Sequence, residues 1–295
     1  MRRFILAAAM STGFALPVLA EPTIETARGP VDLGAVPQKL VVMDVAAIDT
    51  LQAMEVPIIG IPGKVNLSYV KTDGLTDVGT LFEPNLETIA GLAPDLIIIG
   101  GRSAAKFDDV AQVGKAVDMT IGTDLMKEAE ARIATYGALF GKEDKAAEMK
   151  AALDAKTAKL QEAAKDKGSL LVVLTNGPKM SAYGKGTRFG WLHDVTGLPE
   201  AAPNLKTEGS HGEAISPEFI AEKNPDWLFV LDRGVAVGQE SQSAGETLKT
   251  PLIEGTNAFK NGHVVYLPAS EMYIGGGGYQ AMSIMLDAMT EALAK

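Results

Sequence analysis

Three arginines in this chain sit where a ligand could use them. Arg102 and Arg233 close two apolar runs, DLIIIGGR (95–102) and DWLFVLDR (226–233), and Arg188 lies in the glycine-broken stretch YGKGTRFGWLHDVTG. A guanidinium is planar and always charged, so arginine suits flat anionic ligands through paired hydrogen bonds and stacking on rings. The plainer reading is that an exposed arginine is solvated or paired with an acid, and spacing alone leaves both open. Two of the three are nevertheless related. Residues 87–102 read ETIAGLAPDLIIIGGR and residues 218–233 read EFIAEKNPDWLFVLDR. Both begin with glutamate, carry Ile-Ala and then Pro-Asp at matching places, and end at arginine.

Histidine is scarce, with only His193, His211 and His263. His193 in WLHDV and His263 at a turn after Asn261-Gly262 read as structural residues, whereas His211 lies in the polar loop TEGSHGEAIS. No His-x-x-x-His pair and no cysteine exist, so a metal site built from protein ligands alone is not expected. Tyr273 stands in EMYIGGGGYQAM before the last helical pattern. It reads either as an exposed loop tyrosine or as a hydroxyl presented to a cleft, with the glycines admitting close backbone approach. The glycine run fits neither a dinucleotide fingerprint nor a P-loop, and no G-x-S-x-G elbow or paired-carboxylate motif is present. Catalysis therefore has little support, and the protein is expected not to be an enzyme.

The elements that must position these residues are legible as alternating strands and helices. Apolar, β-branched runs at 40–45, 56–61, 95–100, 170–175, 226–231 and 263–268 have the character of buried parallel strands. Helical patterns at 46–54, 85–92, 217–224 and 279–295 separate them, which predicts α/β lobes with mostly parallel sheets. From about Asp124 to Asp166 the chain is rich in Ala, Glu, Lys and Leu, broken by FGKED at 140–144. That predicts two helices, the first a stiff connector between lobes and the second the start of the C-terminal lobe. Ligands of open α/β sheets sit beyond the carboxyl ends of the strands. Arg102 and Arg233 would then face one cleft if the halves face each other.

The first twenty residues, MRRFILAAAMSTGFALPVLA, have the basic start, apolar middle and small-residue end of an export signal, with cleavage expected after Ala20. No other apolar run is long enough to cross a bilayer. The remaining 275 residues suffice for two lobes with real cores. Without cysteine there are no disulfides, no thiolate chemistry and no lipid attachment through an N-terminal cysteine. Net charge is −10, and −12 once the two leader arginines are gone, which argues against nucleic-acid binding. A free periplasmic protein is the expectation.

Together, PDLIIIGGR, GKGTRFGWLHDVTG, SHGEAIS, NPDWLFVLDRG and MYIGGGG resemble the periplasmic siderophore-binding proteins of ABC importers, of the ferric-catecholate type. The resemblance spans essentially the whole mature chain. It implies two Rossmann-like α/β lobes joined by a rigid helix, with the ligand in a shallow cleft between them. The implied divisions are a leader at 1–20, an N-terminal lobe at 21–123, a connecting helix at 124–142 and a C-terminal lobe at 143–295. It implies that Arg102, Arg188 and Arg233 face an anionic iron–catecholate complex. It further implies that His211 and Tyr273 complete the iron's coordination when the siderophore leaves sites open. A ferric ion with two catecholates has two such sites, whereas three catecholates saturate it. Retention of both residues points to a tetradentate bis-catecholate.

The resemblance also assigns Glu87 and Glu218 to docking against a dimeric permease in the inner membrane, although a glutamate in a first helical turn suits the helix dipole anyway. No intrinsic cofactor is implied, the iron arriving as cargo, and a monomer is expected. The alternatives are a haem or corrinoid binder of the same superfamily and, less favoured, a periplasmic siderophore esterase.

Overall fold

A computed structural model describes residues 22–205 and 212–295 of the 295-residue chain. After a hairpin of Thr23–Thr26 and Gly29–Asp32, the chain builds two five-stranded sheets. The first orders its strands Thr76–Asp77, Gly60–Ile61, Leu40–Val42, Leu96–Ile99 and Ala116–Asp118, all parallel. The second orders Glu213–Ile215, Lys179–Tyr183, Leu170–Asn176, Trp227–Asp232 and Val264–Tyr266. Its last two pairings are parallel, and its first two antiparallel. Both sheets are α/β, and the antiparallel edge of the second departs from a wholly parallel plan.

Alternation explains why the central strands read as unbroken apolar runs. Leu40, Val42, Leu96 and Ile98 face one core and Val41, Met43, Ile97 and Ile99 another, so each strand is covered on both sides. The same holds for Leu170, Val172 and Phe229 against Leu171, Val173, Leu228 and Val230. The largest core is continuous from the first lobe to the second, running through the helices that join them.

The repeat noted in the sequence is a structural repeat. Helices Leu86–Leu92 and Pro217–Lys223 start at Asn85 and Ser216, whose side chains cap them, and both end on a left-handed residue, Ala93 or Asn224. The aspartate of each Pro-Asp then ties its strand to the neighbouring one. Asp95 accepts from the amides of Gln38 and Lys39, and Asp226 from the amide and hydroxyl of Ser169. These bonds hold both carboxyls below the usual carboxylate range. The strands that follow deliver Arg102 and Arg233 at their carboxyl ends.

Helices Leu125–Phe140 and Glu143–Ala164 pack as a pair across the left-handed Gly141. The sequence did not show that the last helix, Tyr279–Leu293, also ties the lobes. It packs on Glu143–Ala164 and on Val45–Ala53 of the first lobe. The fully buried Asp49 of Val45–Ala53 caps it, accepting from the amides of Gln280 at 2.7 Å and Ala281 at 2.9 Å, while the Tyr69 hydroxyl donates to the same carboxylate. Thr50 accepts from the amide of Tyr279. No described helix is long and apolar enough to cross a membrane.

Candidate functional site

Arg102 sits in a 3₁₀ turn, Gly101–Lys106, immediately beyond strand Leu96–Ile99. Arg233 opens helix Arg233–Val237 immediately beyond strand Trp227–Asp232, and Asp232 caps that helix through the amide of Val235. Arg188 is held in a compact turn between strand Lys179–Tyr183 and helix Trp191–Thr196. Thr187 donates its hydroxyl to the Gly184 carbonyl at 2.6 Å, and a side chain at Gly190 would collide with that same carbonyl. Glycine at 190 is therefore a packing requirement, and it fixes where Arg188 starts.

All three arginines converge on Tyr273. Arg102 and Arg188 each donate an Nη2 hydrogen bond to the Tyr273 carbonyl, at 2.6 and 2.8 Å. That carbonyl ends helix Ala269–Tyr273, where backbone acceptors have no partner within the helix. Arg233 donates from Nε to the Tyr273 hydroxyl at 3.3 Å and from Nη1 to Asn176 and Gln239. The guanidinium carbons of Arg188, Arg102 and Arg233 stand 4.4, 5.0 and 5.9 Å from the centre of the Tyr273 ring. Among the described residues none of the three lies in an ion pair. The acid-paired reading of these arginines is thus set aside within the described chain.

Charge shapes the chemistry of the cluster. Burial opposes ionisation of Tyr273 most strongly, but the bonds and charges of Arg233 and Arg188 together outweigh it, so the phenol sits below its ordinary value. Burial, and then the Arg188 charge, push Arg102 below the usual arginine value, against the pull of Tyr273 and Asp44. An anion bound here would relieve the repulsion between the two guanidiniums.

Tyr273 occupies the last turn of a helix instead of the glycine loop that the sequence suggested, and it is half-buried. The glycines after it serve packing between lobes more than approach to a ligand. Gly277 has φ +94, and a Cβ there would stand 2.5 Å from the Ile121 side chain; one at Gly278 would meet Asp49. Only Gly276 of the run lines the cavity beside Tyr273.

That cavity holds about 340 Å³ and opens between the lobes. Arg102, Arg188, Tyr273 and Asp44 supply its charged and polar side chains, and Leu81, Ile121, Phe189 and Trp191 much of its apolar wall. Helices Val45–Ala53 and Leu125–Phe140 begin at this wall, adding the partial positive charge of their first turns. Arg233 does not line the cavity but touches the outer end of Tyr273.

His211 lies outside the described residues. The neighbouring Gly212 packs against the ring of Tyr183, which in turn stands edge-on to Phe189 of the cavity wall. His193 is buried, with Nε2 3.3 Å from the Tyr183 carbonyl, and His263 stacks on Trp227 at 4.0 Å; both are structural. Glu87 and Glu218 are exposed in the first turns of the two repeat-related helices, and neither lines the cavity. Asp44 and Trp191 are cavity residues that sequence reasoning missed. The signal for Asp44 was present, as a carboxylate directly after the apolar run LVVM.

A model of the periplasmic binding protein family matches residues 40–271, which includes both sheets' central strands and the three arginines of the cluster, and ends two residues before Tyr273. The chain belongs to that family. Among its relatives, the petrobactin-binding protein YclQ of Bacillus subtilis is 36% identical over 266 residues, covering 88% of this chain and 83% of YclQ. The crystal structure of YclQ superposes with a TM-score of 0.85 over 94% of this chain and 100% of the other. The ferric-anguibactin-binding protein FatB of Vibrio anguillarum is 29% identical over 265 residues, 85% of this chain and 81% of FatB. VctP of Vibrio cholerae, a periplasmic catecholate-siderophore binding protein, superposes with a TM-score of 0.82 at 28% identity, over 91% and 99% of the two chains. The two-lobe α/β architecture is the fold these family members share.

Proposed function

We propose that this protein captures a ferric siderophore with catecholate donors in the periplasm and passes it to an ABC permease in the inner membrane. The observation that carries the reading is the cluster of three arginines, free of acid partners among the described residues, around one tyrosine at a cavity between lobes. An anionic planar chelate supplies what those guanidiniums lack. The names of YclQ, FatB and VctP point to the same ligand class.

In this reading Arg102, Arg188 and Arg233 neutralise the complex, and the acidified Tyr273 phenol binds iron with His211 when the siderophore leaves two sites open. A tetradentate bis-catecholate is the ligand that fits such a pair. Glu87 and Glu218, at matching places on the two lobes, dock against the two permease subunits. The protein works as a monomer after loss of its leader at Ala20, and binding is its whole activity. Overnight incubation with an ester-linked ferric siderophore should leave the ligand intact by chromatography.

The test is a titration of the mature protein with a ferric bis-catecholate, followed by fluorescence of Trp191, which lines the cavity. Saturable quenching, reversed by a second charged catecholate and not by haem, supports the reading. Displacement by haem alone would replace it with the haem-binding alternative.

A further inference from the structure

Asp44 is out of place in a site otherwise built for anions. It is the one carboxylate among the described residues lining the cavity, and it shares that wall with Arg102 and Arg188. Its position is fixed. Oδ2 accepts from the Ala47 amide at 3.0 Å, capping helix Val45–Ala53, and a Cβ on Gly100 would come within 3.0 Å of the carboxyl carbon. The other oxygen, Oδ1, accepts no hydrogen bond from any described residue, and Asp44 forms no ion pair with Arg102 or Arg132. It is not a sealed, orphaned atom either, for no Asp44 oxygen is among the buried polar atoms lacking a partner. A carboxylate with spare acceptor capacity at Oδ1 is therefore part of the cavity lining.

We propose that Asp44 is a specificity-determining residue, accepting a hydrogen bond from a protonated amine in the linker that joins the ligand's iron-binding groups. The inference rests on the ferric-siderophore reading of the cavity and adds the chemistry of the ligand's backbone. The arginines face the anionic chelate, and Asp44 faces a cation a few bonds away from it. A ligand anionic at every point would meet repulsion at Asp44, so the residue selects among chelates of one denticity.

The electrostatic surroundings agree with this role. Burial raises the Asp44 carboxyl to about 6, against the Ala47 amide bond and the charges of Arg102 and Arg132, while Asp118 pushes it further up. The buried Tyr136 hydroxyl is the remaining titratable group that senses it. A cationic ligand group would favour the ionised form and bind best above that value.

The experiment uses two synthetic ferric bis-catecholates of equal denticity, one with a secondary amine in its linker and one with a methylene there. Asp44→Asn keeps a capping side chain and removes the charge. It should weaken the amine-linked complex by at least about tenfold, the loss of one charge-assisted hydrogen bond, and leave the methylene-linked complex unchanged or tighter. For the unmodified protein, the ratio of the two affinities should collapse as pH falls through about 6, and the variant should show no such collapse. Equal effects of Asp44→Asn on both complexes, or a pH-independent ratio, would overturn the proposal. Failure of the unmodified protein to bind either complex would instead sink the siderophore reading itself.

Discussion

Replacing Asp49 by asparagine should make the protein's stability less dependent on pH. The Asp49 side chain is fully buried and joins the lobes by accepting from Gln280 and Ala281, with the Tyr69 hydroxyl of its own lobe as a third donor. Burial raises its carboxyl from 3.8 to about 6, the three partners only partly opposing. Between those values the folded chain holds a proton that the unfolded chain has released, so stability falls as pH rises through the window. The difference amounts to about 3 kcal/mol once the pH exceeds both values. Asparagine still presents one carbonyl to the helix Tyr279–Leu293 but cannot accept at its second position. That loses about 1–3 kcal/mol at every pH. The variant should therefore be less stable than the parent near pH 4 and close to it near pH 7.5. Asp44, raised in the same direction, contributes equally to both proteins and cancels in the comparison. Urea melts at the two pH values, with unchanged m-values, give the numbers. Stability curves that run parallel from pH 4 to 7.5 would refute the reasoning.

Arg233→Ala should weaken the ferric complex by about 1–3 kcal/mol and move the Tyr273 phenol back up, read by ultraviolet difference titration of the ligand-free protein. Tyr273→Phe and His211→Ala should each harm a four-coordinate ferric siderophore far more than a six-coordinate one, and equal losses would end their assignment as iron ligands. Glu87→Lys with Glu218→Lys should leave ligand affinity unchanged and abolish ligand-stimulated ATP hydrolysis by the reconstituted permease. A parallel loss of affinity would place those residues in the fold's support instead of at a docking surface.

The strands most legible in the sequence are those covered on both faces, although the part-exposed edge strand Val264–Tyr266 was legible too. LVV at 40–42, LLVVL at 170–174 and WLFVL at 227–231 are apolar at successive positions because every side chain enters a core. Lys179–Tyr183 and Glu213–Ile215, which form the antiparallel edge, were missed because the first mixes polar with buried residues and the second is three residues long with none buried. The run at 56–61 pairs only at Gly60–Ile61, since Val56 is still bonded back to Leu51 of the preceding helix. The repeat in the sequence makes Arg102 and Arg233 equivalent. Arg188 could be grouped with them only through the resemblance, because it has no partner in the repeat. Asp44 and Asp49 gain their meaning from contacts across the chain, to the cavity wall and to a helix more than 200 residues away. The place of Asp44 at the end of an apolar run flags it as a candidate, but no local pattern shows what either carboxylate touches.

The central claim is that this cavity holds an iron chelate with Tyr273 at the metal. The most direct measurement is the visible charge-transfer band of a ferric bis-catecholate during titration into the mature protein. Saturable binding with a band shifted from that of the free complex, and a smaller shift with Tyr273→Phe, is the outcome predicted here. Saturable binding with an unmoved band would remove Tyr273 from the metal, and no binding at all would contradict the siderophore assignment.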